Sequence, residues 1–139
     1  MTAPAVDHNQ TIIDEFRANE GVVGGYFTGI SLLLLHHTGA RSGLERVAPV
    51  AYQEVPNGYA IFASKGGAED NPAWYYNVLA NPETTIEVGS EVLDVVAHEA
   101  KGEDYERIWN KQKAAVPQFA EYERMTARAY IPVLVLERR

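Results

Sequence analysis

The sequence contains no cysteine, which removes disulfides, thiolate metal ligands, iron–sulfur clusters and a cysteine nucleophile together. That composition also agrees with a reducing compartment. Positive charge is scarce: 12 Lys and Arg stand against 19 Asp and Glu, for a formal net charge of −7. So acidic a chain lacks the basic face that nucleic acid requires. Long hydrophobic runs are missing too, and a run such as the four leucines at 32–35 falls far short of the roughly 20 residues that span a bilayer. Met1-Thr2-Ala3-Pro4 places no basic region ahead of an apolar core, so no secretory signal is read and a cytoplasmic protein is expected. Nor is there a nucleophile elbow: Ser42 falls one place late between Gly39 and Gly43. Dinucleotide and phosphate-loop fingerprints are absent. His36 and His37 are adjacent on a predicted strand and point to opposite faces. One packed and one exposed histidine is therefore expected, and no metal site.

What is present describes one globular domain. At 139 residues, the chain is long enough to bury roughly 68% of its unfolded surface without staples. Ile12, Ile13 and Phe16 at helical spacing predict an amphipathic helix over 10–20, broken by Gly21, Gly24 and Gly25. Residues 30–38 suit a buried strand, 39–43 a turn, and 45–55 a second strand. Pro56-Asn57-Gly58 reads as a hairpin turn into a third strand over 59–63. After a flexible loop at 64–67, Asn71 is expected to cap a helix with Pro72 at its first position. Strands at 84–88 and 92–98 flank Gly89-Ser90. A helix from 103 to about 116, a further helical stretch to about 128, and a last strand at 132–136 complete the chain. Strands joined by tight turns argue antiparallel pairing, and six of this length close into a barrel. The predicted class is α+β, mainly β.

Arg41, Arg46 and Lys65 fall in or beside three turns. In an acidic chain, such cations either bind an anion or are simply solvated. Arginine offers a planar fork to phosphate or carboxylate, and lysine a point charge. Gly66-Gly67 lets backbone N–H groups approach an anion, and the helix start at Asn71-Pro72 adds its dipole. Trp74, one turn into that helix, either walls a planar ring or packs the helix on the barrel. Asn77 is placed to hydrogen-bond a ring amide.

These blocks stand in a definite order. Thr38-Gly39-Ala40-Arg41-Ser42-Gly43 is followed by Arg46 and Pro49, then Ala63-Ser64-Lys65-Gly66-Gly67. Next come Asn71-Pro72-Ala73-Trp74-Tyr75-Tyr76-Asn77, and later Asn81-Pro82. Together they resemble the deazaflavin-dependent nitroreductase family, a branch of the flavin and deazaflavin oxidoreductases. The likeness runs from about Leu34 to the C-terminus, including Glu91-Val92-Leu93-Asp94 and the Ile131-Pro132 strand. It implies a six-stranded antiparallel split β-barrel of the FMN-binding type, with flanking helices, that binds coenzyme F420, an 8-hydroxy-5-deazaflavin. By that resemblance Arg41, Ser42 and Arg46 hold the phosphodiester and the acidic glutamyl tail, and Pro49 touches the ring. Ala63, Ser64, Lys65, Gly66 and Gly67 line the phosphate and ring edge. Asn71, Pro72, Ala73, Trp74 and Asn77 complete the pocket.

The resemblance further implies hydride transfer from the reduced coenzyme to a small electron-poor acceptor: a quinone, an activated double bond or a nitro compound. Ser64 is the candidate for steadying the accepting atom, and Tyr122 or Tyr130 for relaying a proton. The acceptor wall reads Val116, Phe119, Tyr122 and Met125. Only Tyr122 carries a hydroxyl there, so flat apolar quinones are expected in preference to bicyclic nitroimidazoles. Two rivals stand beside this reading: an FMN-dependent split-barrel oxidoreductase, and a non-enzymatic barrel that carries flavin, haem or lipid. Segment 1–29 precedes the family motifs and is expected to be dispensable for coenzyme binding but to govern acceptor access, leaving 30–139 as the coenzyme-binding barrel. Its Ile12, Ile13 and Phe16 face needs apolar cover. Asp14, Glu15 and Glu20 against Arg17 favour cover by protein over a membrane surface.

Overall fold

Four consecutive leucines are more than a strand with one buried face requires. The computed structural model of the protein, which describes residues 8–25 and 29–139, shows both faces in use. In β1 (Leu32–Thr38), Leu33 and Leu35 join the barrel interior, while Leu32 and Leu34 face outward beneath a helix. That helix, α1 (His8–Ala18), lays Ile12, Ile13 and Phe16 over them. The apolar face of α1 is therefore covered by the chain's own barrel.

The remaining strands are β2 (Glu45–Val55), β3 (Gly58–Phe62), β4 (Glu83–Val88), β5 (Glu91–Glu99) and β6 (Val133–Arg138). They close in the order β1-β2-β3-β6-β5-β4, with every pairing antiparallel and β1 joined back to β4. Closure leaves no open sheet edge among the described residues. Leu33, Leu35, Ile61, Ile86, Val95, Leu134 and Leu136 fill the interior. The helix α2 (Ala73–Ala80) adds Trp74, Tyr75 and Val78 to that cluster. On the outside of β3 and β6, Ala60, Phe62, Val133 and Val135 meet Trp109 of α3 (Gly102–Ala115) and Phe119 of α4 (Gln118–Met125). Burial on both faces is why β1, β3 and β6 read as continuous apolar runs rather than as alternation.

Three local details differ from the sequence reading or sharpen it. Pro72, not Asn71, occupies the cap position of α2, and no side chain caps the helix. The Asn71 amide oxygen instead accepts a 2.6 Å bond from the Arg128 guanidinium, a charged donor stronger than a helix N–H. The last helix ends at Met125 rather than near 128, because the Thr126 hydroxyl donates to the Ala68 carbonyl at 2.7 Å and turns the chain back. Gly58 opens β3, where a Cβ would lie 2.0 Å from the Leu136 carbonyl oxygen, while Asn57 supplies the positive φ of the turn.

Candidate active site

Two concavities open side by side along β2. The larger, about 810 Å³, is lined by His37, Glu45, Arg46 and Lys65, by Pro72, Ala73 and Trp74 at the start of α2, and by Asn9, Gln10 and Ile13 of α1. The smaller, about 380 Å³, has Pro49, Phe62, Ser64, Gly66, Phe119 and Tyr122 in its wall. Asn9, Ala48, Lys65, Pro72 and Trp74 belong to both. The two thus form one groove, with cations at one end and apolar rings at the other.

The loop between β3 and α2 sits at the junction. Lys65, Gly66 and Gly67 form a short 3-10 turn with φ of 46°, 63° and 83°. Glycine adopts that region freely, whereas Lys65 is strained there. Gly67 is also fixed by space, since a Cβ would stand 3.1 Å from Met125 Cβ and 3.2 Å from the Tyr122 carbonyl oxygen of α4. The loop is held from behind by Arg128. Its guanidinium donates to the carbonyls of Ala63 and Ser64, both at 2.8 Å, to Asn71 Oδ1 at 2.6 Å and to Thr126 Oγ1 at 2.8 Å. The Lys65 ammonium reaches the exposed Asp70 at 3.1 Å. Among the described residues, Arg41 and Arg46 have no carboxylate partner.

Beneath the cationic end, His37 is 7% exposed. Burial first, then the charges of Arg46 and His36, pushes it down to about 4, so its ring is neutral at physiological pH. Asn77, equally buried, accepts the Ala40 N–H on Oδ1 at 2.9 Å and places Nδ2 3.0 Å from His37 Nδ1. On the outer face, His36 Nε2 lies 2.7 Å from Glu87, whose carboxylate also takes a two-pronged bond from Arg17 of α1 at 2.7 and 3.1 Å. Those partners, the Arg17 bond first, hold Glu87 below the usual carboxylate range against the opposing effect of burial.

A family model described as F420H(2)-dependent quinone reductase matches residues 9–138. The chain belongs to that family. An F420H(2)-dependent quinone reductase of Mycobacterium tuberculosis is 37% identical over 130 residues, covering 89% of this chain and 85% of the relative. A solved F420-H2 dependent reductase is 41% identical, with a TM-score of 0.68 over 76% of this chain and 93% of its own. A haem storage protein from Vibrio cholerae shares the fold alone, at 15% identity and a TM-score of 0.59 over 94% of this chain and 90% of its own. The F420H(2)-dependent quinone reductase family agrees with the deazaflavin resemblance drawn from the motifs, and its name carries the quinone that stood first among the expected acceptors.

In this member of the F420H(2)-dependent quinone reductase family, the structure brings most of the predicted residues together. Arg46, Pro49, Ser64, Lys65, Gly66, Pro72, Ala73, Trp74, Phe119 and Tyr122 line the groove. Trp74 packs in the core and also lines the groove. Ala63 and Gly67 are buried behind the loop, and Asn71 braces Arg128. Arg41 and Ser42 stand on an exposed turn outside the groove lining, where Ser42 Oγ accepts the Leu44 N–H at 3.2 Å. The Asn77 amide is spent on Ala40 and His37, so it supports that turn and is not presented to a ring. Val116 packs against the Trp109 cluster and Met125 is exposed, neither on the groove. Tyr130 is also elsewhere, its hydroxyl donating at 3.3 Å to Glu99, which takes the Tyr75 hydroxyl at 2.5 Å as well.

Sequence reasoning missed three contributors: His37, the Asn9–Gln10 end of α1, and Arg128. His37 left a signal, since it shares strand parity with the inward Leu33 and Leu35. Arg128 left none, because its partners at Ala63, Ser64 and Asn71 lie 57 to 65 residues away.

Proposed function

We propose that this chain binds reduced coenzyme F420 in the groove along β2 and passes its hydride to a quinone held at the apolar end. The observation that carries this reading is the single groove with ends of opposite character. The residues fit the coenzyme. Arg46, free of any carboxylate among the described residues, and Lys65 suit an anionic phosphodiester, and Pro49 and Trp74 suit the faces of a flat ring. When bound, the reduced deazaflavin supplies the hydride, so the protein's task is orientation and charge stabilisation.

Ser64, on the apolar side of the groove next to Lys65, is assigned to steady the accepting oxygen through its hydroxyl or N–H. Phe62, Phe119 and Tyr122 form the acceptor wall, and Tyr122 is the proton donor of choice because Tyr130 lies on Glu99 instead. Arg41 and Ser42 are assigned to the acidic tail where it leaves the groove. Segment 1–29 acts as the cover of both ends and 30–139 as the coenzyme barrel, supported by Asn9, Gln10 and Ile13 on the groove. A cytoplasmic setting is proposed on the cysteine-free composition.

The test is a fluorescence titration of the purified protein with F420, FMN, FAD and haem, followed by oxidation of reduced F420 with a menadione-like quinone. F420 is expected to bind most tightly and to turn over. Equal or tighter FMN binding would overturn the cofactor assignment.

A further inference from the structure

The orientation of one buried side-chain amide determines what a neighbouring histidine offers to the groove. The Ala40 backbone N–H can only donate, and it points at Asn77 from 2.9 Å. The Asn77 atom receiving it must be the carbonyl oxygen, which leaves the NH2 group facing His37 Nδ1 at 3.0 Å. Nδ1 must then accept. Burial beside Arg46 keeps the ring neutral, and a neutral ring carries a single proton. With Nδ1 as acceptor, that proton is on Nε2.

Nε2 has no protein partner among the described residues. It is not sealed from solvent either, since among the described residues no buried side-chain nitrogen or oxygen lacks a partner. His37 lines the cationic end of the groove with Arg46, its cross-strand neighbour in the β1–β2 register. A side chain more than nine-tenths buried thus keeps one donor open to the groove. Leaving that donor unmet in a ligand-filled groove is costly.

We infer that His37 is a coenzyme contact, its Nε2–H donating to an oxygen of the ligand in the cationic end of the groove, with Asn77 and Ala40 as the relay that holds the proton on Nε2. This rests on the reading that the groove binds F420. Within it, Arg46 and Lys65 supply charge, whereas His37 supplies a directional neutral donor that a solvated surface cation does not replace. His36 faces away toward Glu87 and Arg17 and takes no part.

Nitrogen-15 NMR of the histidine rings in the full chain, with and without F420, tests the inference directly. The ligand-free protein should show His37 as the neutral Nε2–H form near neutral pH, and F420 should shift its Nε2 resonance. A ring protonated on Nδ1, or an Nε2 signal that F420 does not move, would overturn the inference whether or not any variant folds. A titration with F420 adds a second readout. His37→Phe should weaken binding about five- to tenfold, and His37→Gln, which keeps a donor, should recover part of the loss. Wild-type binding that a folded His37→Phe protein matches refutes the His37 contact alone. A wild type that does not bind F420 refutes the groove reading and the contact with it.

Discussion

Lys65 holds a left-handed backbone between the buried Ala63 side and a glycine pair, with its ammonium on Asp70. Replacing it separates backbone strain from ligand affinity. Lys65→Ala removes one charge-assisted contact and should cost roughly 1.5–3 kcal/mol of F420 binding in a titration, with the fold intact. Lys65→Gly should bind equally weakly yet melt higher than Lys65→Ala, since glycine relieves roughly 1 kcal/mol of strain at positive φ. Arg128→Ala is different in kind. It strips the donor from two carbonyls and Asn71, so it should lower unfolding free energy by about 2–4 kcal/mol and also weaken F420 binding without touching the groove. His37 gives the pH signature. Its folded value of about 4 lies below the ordinary 6.5, so the unfolded chain binds the proton more readily. Stability should be complete above 6.5 and decline as pH falls toward 4, by an amount on the order of 2–3 kcal/mol. Denaturation curves across that window should flatten in His37→Phe.

Among the elements, α1 carries the most consequence for its length. Phe16 is 1% exposed and seals the outer face of β1, so Phe16→Ala should destabilise by about 3–5 kcal/mol in chemical denaturation. The Arg17–Glu87–His36 cluster ties the same helix to β4 and β1, but it is partly solvated. Glu87→Gln should therefore cost no more than about 1 kcal/mol. Deleting 1–29 is expected to do more than widen acceptor access. It bares Leu32 and Leu34 and removes Asn9, Gln10 and Ile13 from the cationic end. Loss of coenzyme affinity together with a lower melting temperature is the expected result. A truncated barrel of unchanged affinity and stability would show the helix to be only a gate for the acceptor.

For the whole molecule, a net charge of −7 surrounds a groove that gathers Arg46 and Lys65. Binding of an anionic coenzyme should consequently weaken with added salt, as screened charge–charge attraction does. No helix among the described residues is long and apolar enough to cross a membrane. At the other end of the groove, Phe62, Phe119 and Pro49 outnumber hydroxyls. Steady-state assays should show turnover of menadione-like quinones and little or none of bicyclic nitroimidazoles, and Tyr122→Phe should lower kcat more than it raises KM. Nitroimidazole reduction with inert quinones would reverse the acceptor assignment and leave the coenzyme assignment standing.

The sequence alone determined six strands along the chain and an antiparallel barrel, because local signals are strong there: turn residues at 56–58 and 89–90, and apolar runs in between. The closing pairs, β3 on β6 and β1 on β4, came from the tertiary structure. Family motifs at 38–49 and 63–77 likewise put Arg46, Pro49, Ser64, Lys65 and Trp74 on the groove. Arg46 lies near a strand start and Ser64 and Lys65 at a turn that short-range chemistry already specifies, while Pro49 within β2 and Trp74 in α2 were placed by the family resemblance. Only the tertiary structure decided which of the other residues share that space. Asn77, buried, turned to Ala40 and His37 because a buried polar group takes the donor or acceptor that packing brings to it. The partly buried Asn71 turned to Arg128 and the exposed Tyr130 to Glu99, partners that only the fold brings near them. The reach of α1 over the groove and the bracing of the 64–67 loop by Arg128 depend on contacts between segments far apart in the chain. Neither has a local pattern to betray it.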